Sequence, residues 1–496
     1  MDFVAGVSMT GVRAAAIFIL TLICTSCGET YRPVATPIIQ NPPNPGFAHL
    51  VLVVSGNGSG NPGASTTIDV SGDTALSQAT VGLMPVHAAL VNGGNQVYVA
   101  NSGDDTVSTF GSSSAAPVTT ISLPAGSTPS FLATTETGTI YVANSGNNTV
   151  SAINTANNAV MPPIYGIPVG VEPVALAETP NQQKLYSANR GSGAGGGSVT
   201  SINTLDRSVN PPIANATWIS PVSIAARSDS NRVYVLDQGS GTVSAINTAI
   251  DAVVSSIPVG VGANFMLYDP VRNRLYVSNP LLNKVIYLDA SNDALSAVTV
   301  AVASPVSVAA LPDGSRAYVS SASVNGKSVT SSVTVINALD GSIKTTIPLT
   351  AASKVCASNP SELSIAGAAD SSSVYVGNCD AGNVAIIQTL TDTLVLQMPA
   401  PVSSSQPSTI RITAATQSGS NTTYAYVPIS GPPLRVGMTI AIENLGDSGN
   451  NGTFAITAVG TGTFTVFNAA GVTASSQGGT GSAVTPQSPV FAVAGP

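Results

Sequence analysis

The feature that most constrains this chain is a hydrophobic-tyrosine motif that recurs along most of its length. It reads Val97-Tyr98-Val99-Ala100-Asn101, Ile140-Tyr141-Val142-Ala143-Asn144, Leu185-Tyr186-Ser187-Ala188-Asn189, Val233-Tyr234-Val235, Leu275-Tyr276-Val277-Ser278-Asn279, Ala317-Tyr318-Val319 and Val374-Tyr375-Val376-Gly377-Asn378. Successive tyrosines lie 43, 45, 48, 42, 42 and 57 residues apart. A second segment follows most of them after a polar turn, as in Thr242-Val243-Ser244-Ala245-Ile246-Asn247 and Ser332-Val333-Thr334-Val335-Ile336-Asn337. Both segments alternate branched or aromatic residues with small ones, which is the period of a β-strand. A third strand follows an Asn- or Asp-containing turn, where those residues tolerate the left-handed conformation of a tight hairpin. A fourth, built of small residues, starts after proline at Pro173, Pro221 and Pro305.

Four strands in about 42 residues make one blade of a β-propeller. The segment from Phe47 reads as a blade lacking its innermost strand, while Pro489-Val490-Phe491-Ala492-Val493-Ala494 reads as an innermost strand lacking a blade. Joining the two removes two exposed sheet edges, which invite edge-to-edge association. The expectation is therefore an all-β chain: a propeller of eight four-stranded blades, with seven as the alternative, closed by the C-terminal strand. Residues 402–487 interrupt it, with strands expected at 408–416, 423–429, 438–444, 452–459 and 462–468, and read as a small all-β inserted module. The propeller is thus assigned to 48–401 plus 488–496.

The Tyr-Val-Ala-Asn cores, the Val-Ser-x-Ile-Asn strands and the Ile-Pro-Val-Gly ending at 257–260 resemble the YVTN family of bacterial β-propeller repeats. The resemblance covers roughly residues 48–400. It implies the fold and, by analogy with exported relatives, a binding or surface role; a single fold hosts many functions.

The N-terminus carries an address. Arg13 precedes an apolar run over 14–24 and then Thr25-Ser26-Cys27-Gly28, the order of a secretory signal, too short to span a bilayer. Small residues directly before Cys27 resemble a lipobox, in which that cysteine is acylated, although Cys24 stands where leucine is usual. Residues 1–26 are read as a lipoprotein signal peptide. Residues 27–47, with Pro33, Pro37, Pro42, Pro43 and Pro45, are read as an extended spacer. Export to the cell envelope, with a lipid on Cys27 holding the protein to the outer membrane, is the expected localisation. Two cysteines then remain, Cys356 and Cys379, as one disulfide in an oxidising compartment.

Composition narrows the function. Only 8% of the residues are charged against 43% hydrophobic, and the net charge is −8. An electrostatic grip on nucleic acid requires clustered Lys and Arg. With two His and one Trp, haem ligation, tryptophan-repeat quinoprotein chemistry and histidine-rich metal centres have few residues to draw on. No cofactor or metal is expected.

Strand order places the third residue of each innermost strand at one end of the channel: Phe491, His87, Phe131, Ala175, Ser223, Phe265, Ser307 and Glu362. Trp218, Arg190 and Asp237 fall in or beside loops of the same end. A concave mouth with aromatic and a few polar groups is the default ligand site of such a shape, so His87, Phe131, Arg190, Trp218, Asp237, Phe265 and Glu362 are the candidate ligand-binding residues; the alternative is that they pack blade against blade. At the opposite end Lys184, Arg232, Arg274 and Arg316 stand two residues before a core tyrosine, the last three preceded by Asp229, Asp269 and Asp313. They read as solvated turn pairs or as an anion-binding arc. The expected function is a non-catalytic envelope lipoprotein presenting a propeller for a protein, glycan or small ligand. A lactonase-like or other hydrolase is the first alternative and nucleic-acid binding the second.

Overall fold

The computed structural model describes residues 49–495 apart from 58–59, 92, 115–116, 135–137, 193–195, 214–215, 327, 354–355, 357–362, 402–406, 432, 435, 437, 476–477 and 485–486. The expected signal peptide, the spacer with Cys27, and Glu362 lie outside the described residues.

Eight sheets follow one another around a ring. Blade 1 consists of Leu50–Gly56, Pro62–Asp69 and Thr74–Leu83, and its innermost place is taken by the last strand, Ser488–Ala494. Val51 pairs with Ala494 and Gly56 with Ser488, so the ring closes on the strand that the sequence reserves for it. Blades 2 to 8 open with the innermost strands Pro85–Val91, Pro129–Thr134, Pro173–Glu178, Pro221–Ala226, Phe265–Asp269, Pro305–Ala310 and Leu363–Gly367. Blade 4 has three paired strands, with its outer path reduced to a bridge between Ile202 and Val209. Pro211 and Pro212 follow, and residues without an N–H cannot continue a ladder.

The strand period explains why so apolar a chain needs so little charge. Along Gln96–Asn101, Val97 and Val99 pack toward blade 1, whereas Tyr98 and Ala100 pack toward blade 3. Each of the eight blade interfaces holds one such cluster, including the seam where Val51, Val53 and Ile68 of blade 1 meet Tyr375, Val384 and Ile386 of blade 8. Strands covered on both faces read as apolar throughout.

The ring has two ends. At the proximal end lie the two described ends of the chain, where Gly495 N–H donates to the Leu50 carbonyl, together with the turns from first to second and from third to fourth strand. At the distal end lie the turns from second to third strand and the links from one blade to the next. The inserted module leaves after Thr393–Pro399 and returns at Ser488, so it interrupts the last distal link; Gln487 N–H donates to the Pro401 carbonyl at 2.7 Å where its ends meet.

The module is a closed six-stranded barrel. Around it run Ser408–Ser418, Asn421–Ser430, Thr463–Phe467, Gly452–Gly460, Thr439–Glu443 and Thr480–Val484, the last pairing back onto the first. Ile410, Ile412, Tyr424, Ile440, Ile456 and Phe464 fill it, with Tyr424 stacked on Phe464 at 5.2 Å. The sixth strand, Thr-Gly-Ser-Ala-Val, has no alternation of branched residues to announce it and was not among the five expected from sequence.

Candidate functional site

The innermost strands begin with a recurrent bulge. Pro85 pairs with Asn101 and His87 with Ala100, and the same skip recurs at Pro129/Phe131, Pro173/Ala175, Pro221/Ser223 and Pro305/Ser307. A bulge leaves one residue unpaired and twists the strand, and it puts the third residue of each blade against the next blade. In blade 8, Ser364 pairs with Gly377 as His87 pairs with Ala100, so Ser364 holds the ring position that the sequence reading gave to Glu362.

These third residues staple blade to blade. His87 lies between Phe131 of blade 3 and Phe491 of blade 1, with ring centroids 4.0 and 4.1 Å away. Its Nδ1 accepts the Leu132 N–H at 3.3 Å, and burial pushes its pKa down to about 3, so the imidazole is neutral at physiological pH. Ser307 Oγ donates to the Leu363 carbonyl at 2.7 Å, and Ser364 Oγ accepts the Ala492 N–H at 3.0 Å. Phe265, in blade 6, stands apart from the three-ring stack and packs against the cluster between blades 6 and 7.

The other candidates do not converge on the channel. Trp218 is buried between blades 4 and 5, its Nε1 donating to Ser244 Oγ at 3.2 Å. Asp237 is fully buried; its carboxylate accepts the N–H groups of Ile219, Ser220 and Gly239 and the Ser240 hydroxyl, which fixes the link into blade 5. Arg190 forms an exposed ion pair with Glu172 at 2.9 Å. Cys356 and Cys379 are disulfide-bonded, 23 residues apart, and tie the segment leading into blade 8 to the end of that blade's second strand.

The proximal cations have partners that differ from both sequence readings. Lys184 pairs with Asp251 at 2.7 Å and Arg232 with Asp293 at 2.9 Å, each acid belonging to the next blade. Arg316 and Lys344 both bind Asp392, at 2.5 and 2.6 Å. Arg274 donates to the Ala338 carbonyl and lies over Tyr287. Asp229 is held by Arg227, which keeps its carboxyl far below the usual range.

The same acids receive the core tyrosines. Tyr186 donates to Asp251 at 2.5 Å, Tyr234 to Asp293 at 2.6 Å, Tyr318 to Asp392 at 2.5 Å, Tyr375 to Asp73 at 2.6 Å and Tyr98 to Asn158 at 2.5 Å. Every acceptor has positive φ, from 45° to 58°, in the turn between third and fourth strands of the following blade. Burial, then the facing acid, pushes the pKa of Tyr186, Tyr234, Tyr318 and Tyr375 up. In blades 4 and 7 the turn position is Arg207 or Gly341, with no carboxylate to offer. Tyr276 turns to Asp269 of its own blade, at 3.3 Å. This clasp escaped sequence reasoning, although a signal for it was present: Asn158, Asp251, Asp293 and Asp392 all stand directly before an Ala- or Thr-initiated outer strand.

Among the described residues no group of three His, Cys, Asp or Glu side chains is placed to hold a metal ion. No protein-family model matches the chain, and no curated protein does. Solved structures do resemble it. The apo form of AztD from Citrobacter koseri matches with TM-score 0.51 and 13% identity over 71% of this chain and 95% of that one. A protein of unknown function from Desulfotomaculum acetoxidans matches with TM-score 0.45 and 14% identity over 71% and 95%. The inactive virginiamycin B lyase from Staphylococcus aureus, solved with quinupristin, gives TM-score 0.40 and 13% identity over 60% and 92%. At such identities the likeness is one of fold. The class it defines is the β-propeller, here with eight blades and a barrel in its last distal link.

Proposed function

We propose that this chain is an exported cell-envelope lipoprotein whose propeller is a rigid scaffold for binding a partner and carries out no catalysis. The observation that carries this reading is the fate of the polar side chains at the distal end. His87, Asp237, Ser307, Ser364 and Trp218 are each engaged within the ring, where they hold strands and links together, which favours a structural over a catalytic role for these side chains. What the distal end offers a partner is an apolar arc. Val171, Ile219 and Val261 are exposed in the links into blades 4, 5 and 6, and Leu281 and Leu282 are exposed in the adjoining turn of blade 6. Ile219 lies against Gly239 of the neighbouring turn, and Leu281 against Gly262 of the link into blade 6. Clustered exposed apolar residues mark interaction surfaces, and this one favours a protein or another ligand with an apolar face. The resemblance to YVTN repeats, the apolar run over 14–24 and Cys27 support the envelope address.

Three experiments test the proposal. Mass spectrometry of the mature N-terminus should find an acylated Cys27; an unmodified cysteine sinks the lipoprotein part. Crosslinking in solubilised membranes should capture a partner that Val261→Asp with Leu281→Asp loses. Turnover of a lactone or another hydrolysable substrate by the purified protein would overturn the non-catalytic part.

A further inference from the structure

The proximal end carries a second set of exposed apolar residues, arranged differently. Leu205, Ile250, Leu339 and Leu390 are 90%, 66%, 66% and 81% exposed. All four stand in the same turn, the one between third and fourth strands, in blades 4, 5, 7 and 8: Leu205, Leu339 and Leu390 two residues after the third strand ends, Ile250 three after it. Among the described propeller residues, only Tyr165 and Leu281 are large, apolar and comparably exposed, at 78% and 71%. Residues exposed to this degree contribute nothing to the core, so their concentration in one turn of the repeat requires another account.

We infer that the proximal end rests on a lipid bilayer surface, with these four tips inserted into the interface. The inference rests on the lipoprotein reading and extends it by assigning the face. Three observations favour lipid over protein as the occupant. The tips are separate protrusions on different blades; a fluid interface accommodates isolated apolar side chains, whereas a protein partner buries a contiguous patch. The chain enters the propeller at this same end, since Leu50–Gly56 runs from proximal to distal with its Leu50 end beside Gly495. A tether of about 20 residues from Cys27 therefore arrives at the face that carries the tips. The nearby charge is largely neutralised within the protein: Asp251 is paired with Lys184, and Asp392 with Arg316 and Lys344. Asp206 and Asp340 remain exposed beside Leu205 and Leu339, as do Asp313 and Asp370 in the first turns of blades 7 and 8, so the surface that fits is zwitterionic, and anionic lipid should weaken the contact.

The test uses the full-length protein on phosphatidylethanolamine/phosphatidylcholine vesicles. An environment-sensitive fluorophore is attached at Leu390→Cys, or at Leu281→Cys on the distal end, and quenched by an aqueous reductant. Adding vesicles should slow quenching at position 390 by about fivefold or more and leave position 281 unchanged. Combining Leu390→Cys with Leu205→Ser, Ile250→Ser and Leu339→Ser should remove most of that protection. Equal quenching at both positions on vesicle-bound protein overturns the inference, as does protection of position 390 that grows with protein concentration in the absence of vesicles, the mark of self-association. Failure of the anchor is a separate outcome, read as an unacylated Cys27; the two labels on saturating vesicles then still decide the face.

Discussion

The turns at the two ends of the propeller use the same residue types but tie the chain together over different distances. At the distal end, Asp105 accepts the N–H groups of Gly126 and Thr128, 21 and 23 residues on; Asn148 accepts from Glu172, 24 residues on, and Asn283 from Ser304, 21 on. At the proximal end, Tyr98 reaches Asn158 across 60 residues, Tyr318 reaches Asp392 across 74, and Tyr375 reaches Asp73 across 302. Closing a short loop costs less chain entropy than closing a long one. These distal turn contacts therefore belong to a single blade and its exit, whereas each proximal clasp forms only once two blades have docked. The proximal clasps, like the staples of the innermost strands, report on assembly of the ring, and the distal turns on the order of each blade.

The largest effect should come from removing the strand that closes the ring. Deleting residues 488–496 should lower the melting temperature by on the order of 10 °C or more and promote aggregation through the exposed edge of blade 1. An unchanged transition would mean that the closing strand is dispensable. Next, replacing Cys356 and Cys379 together by serine should destabilise by about 3 kcal/mol in the chain-entropy model, measured by denaturant unfolding in non-reducing buffer.

The clasps give the sharpest contrast. Tyr375→Phe should cost about 1.5–3 kcal/mol, because it leaves the Asp73 carboxylate without its phenol donor. Tyr141→Phe should cost under about 0.5 kcal/mol, since its neighbouring turn offers Arg207 in place of an acid. Equal costs in the two variants would erase the distinction between clasped and unclasped interfaces.

A pH dependence tests the distal ring. His87 has a pKa of 6.5 when unfolded and about 3 when folded, so between these values the unfolded chain binds more protons. Its contribution to stability is complete above pH 6.5 and is lost as the pH falls toward 3. His87→Gln should flatten the stability profile in that window, read from denaturation midpoints at successive pH values. The smallest effect is expected for the barrel. Replacing residues 402–487 by a short Gly-Ser linker should shift the propeller's melting temperature by no more than about 3 °C, since Pro401 and Gln487 already meet and insertions at loop tips are tolerated.

Much of the architecture was legible because the repeat is written in the strands themselves. Tyrosine spacing marked the blades, and the orphan strand at 489–494 predicted the closure that the pairing of Val51 with Ala494 bears out. The Cys356 and Cys379 pairing was readable by elimination, and the structure bonds them. Register was harder. The third position of blade 8 was given to Glu362, but Leu363 pairs with Asn378 and Ser364 with Gly377, which puts Ser364 there. Asp229, Asp269 and Asp313 were read as turn partners of Arg232, Arg274 and Arg316, with an anion-binding arc as the alternative. A side chain at the end of a blade meets the next blade instead, so sequence neighbourhood was the wrong measure of distance. Trp218 looked like a channel aromatic, yet it fills space beside the blade whose outer strand is interrupted by Pro211 and Pro212.

The strand Ser488–Ala494 lies against one of the first described strands, although the whole ring separates the two in sequence. A copy cut just before Ser488 keeps its other blades but presents Leu50–Gly56 as a bare edge. The ring thus monitors its own integrity: a copy cut short exposes a defect that proteases and chaperones can recognise, whereas a closed ring conceals it.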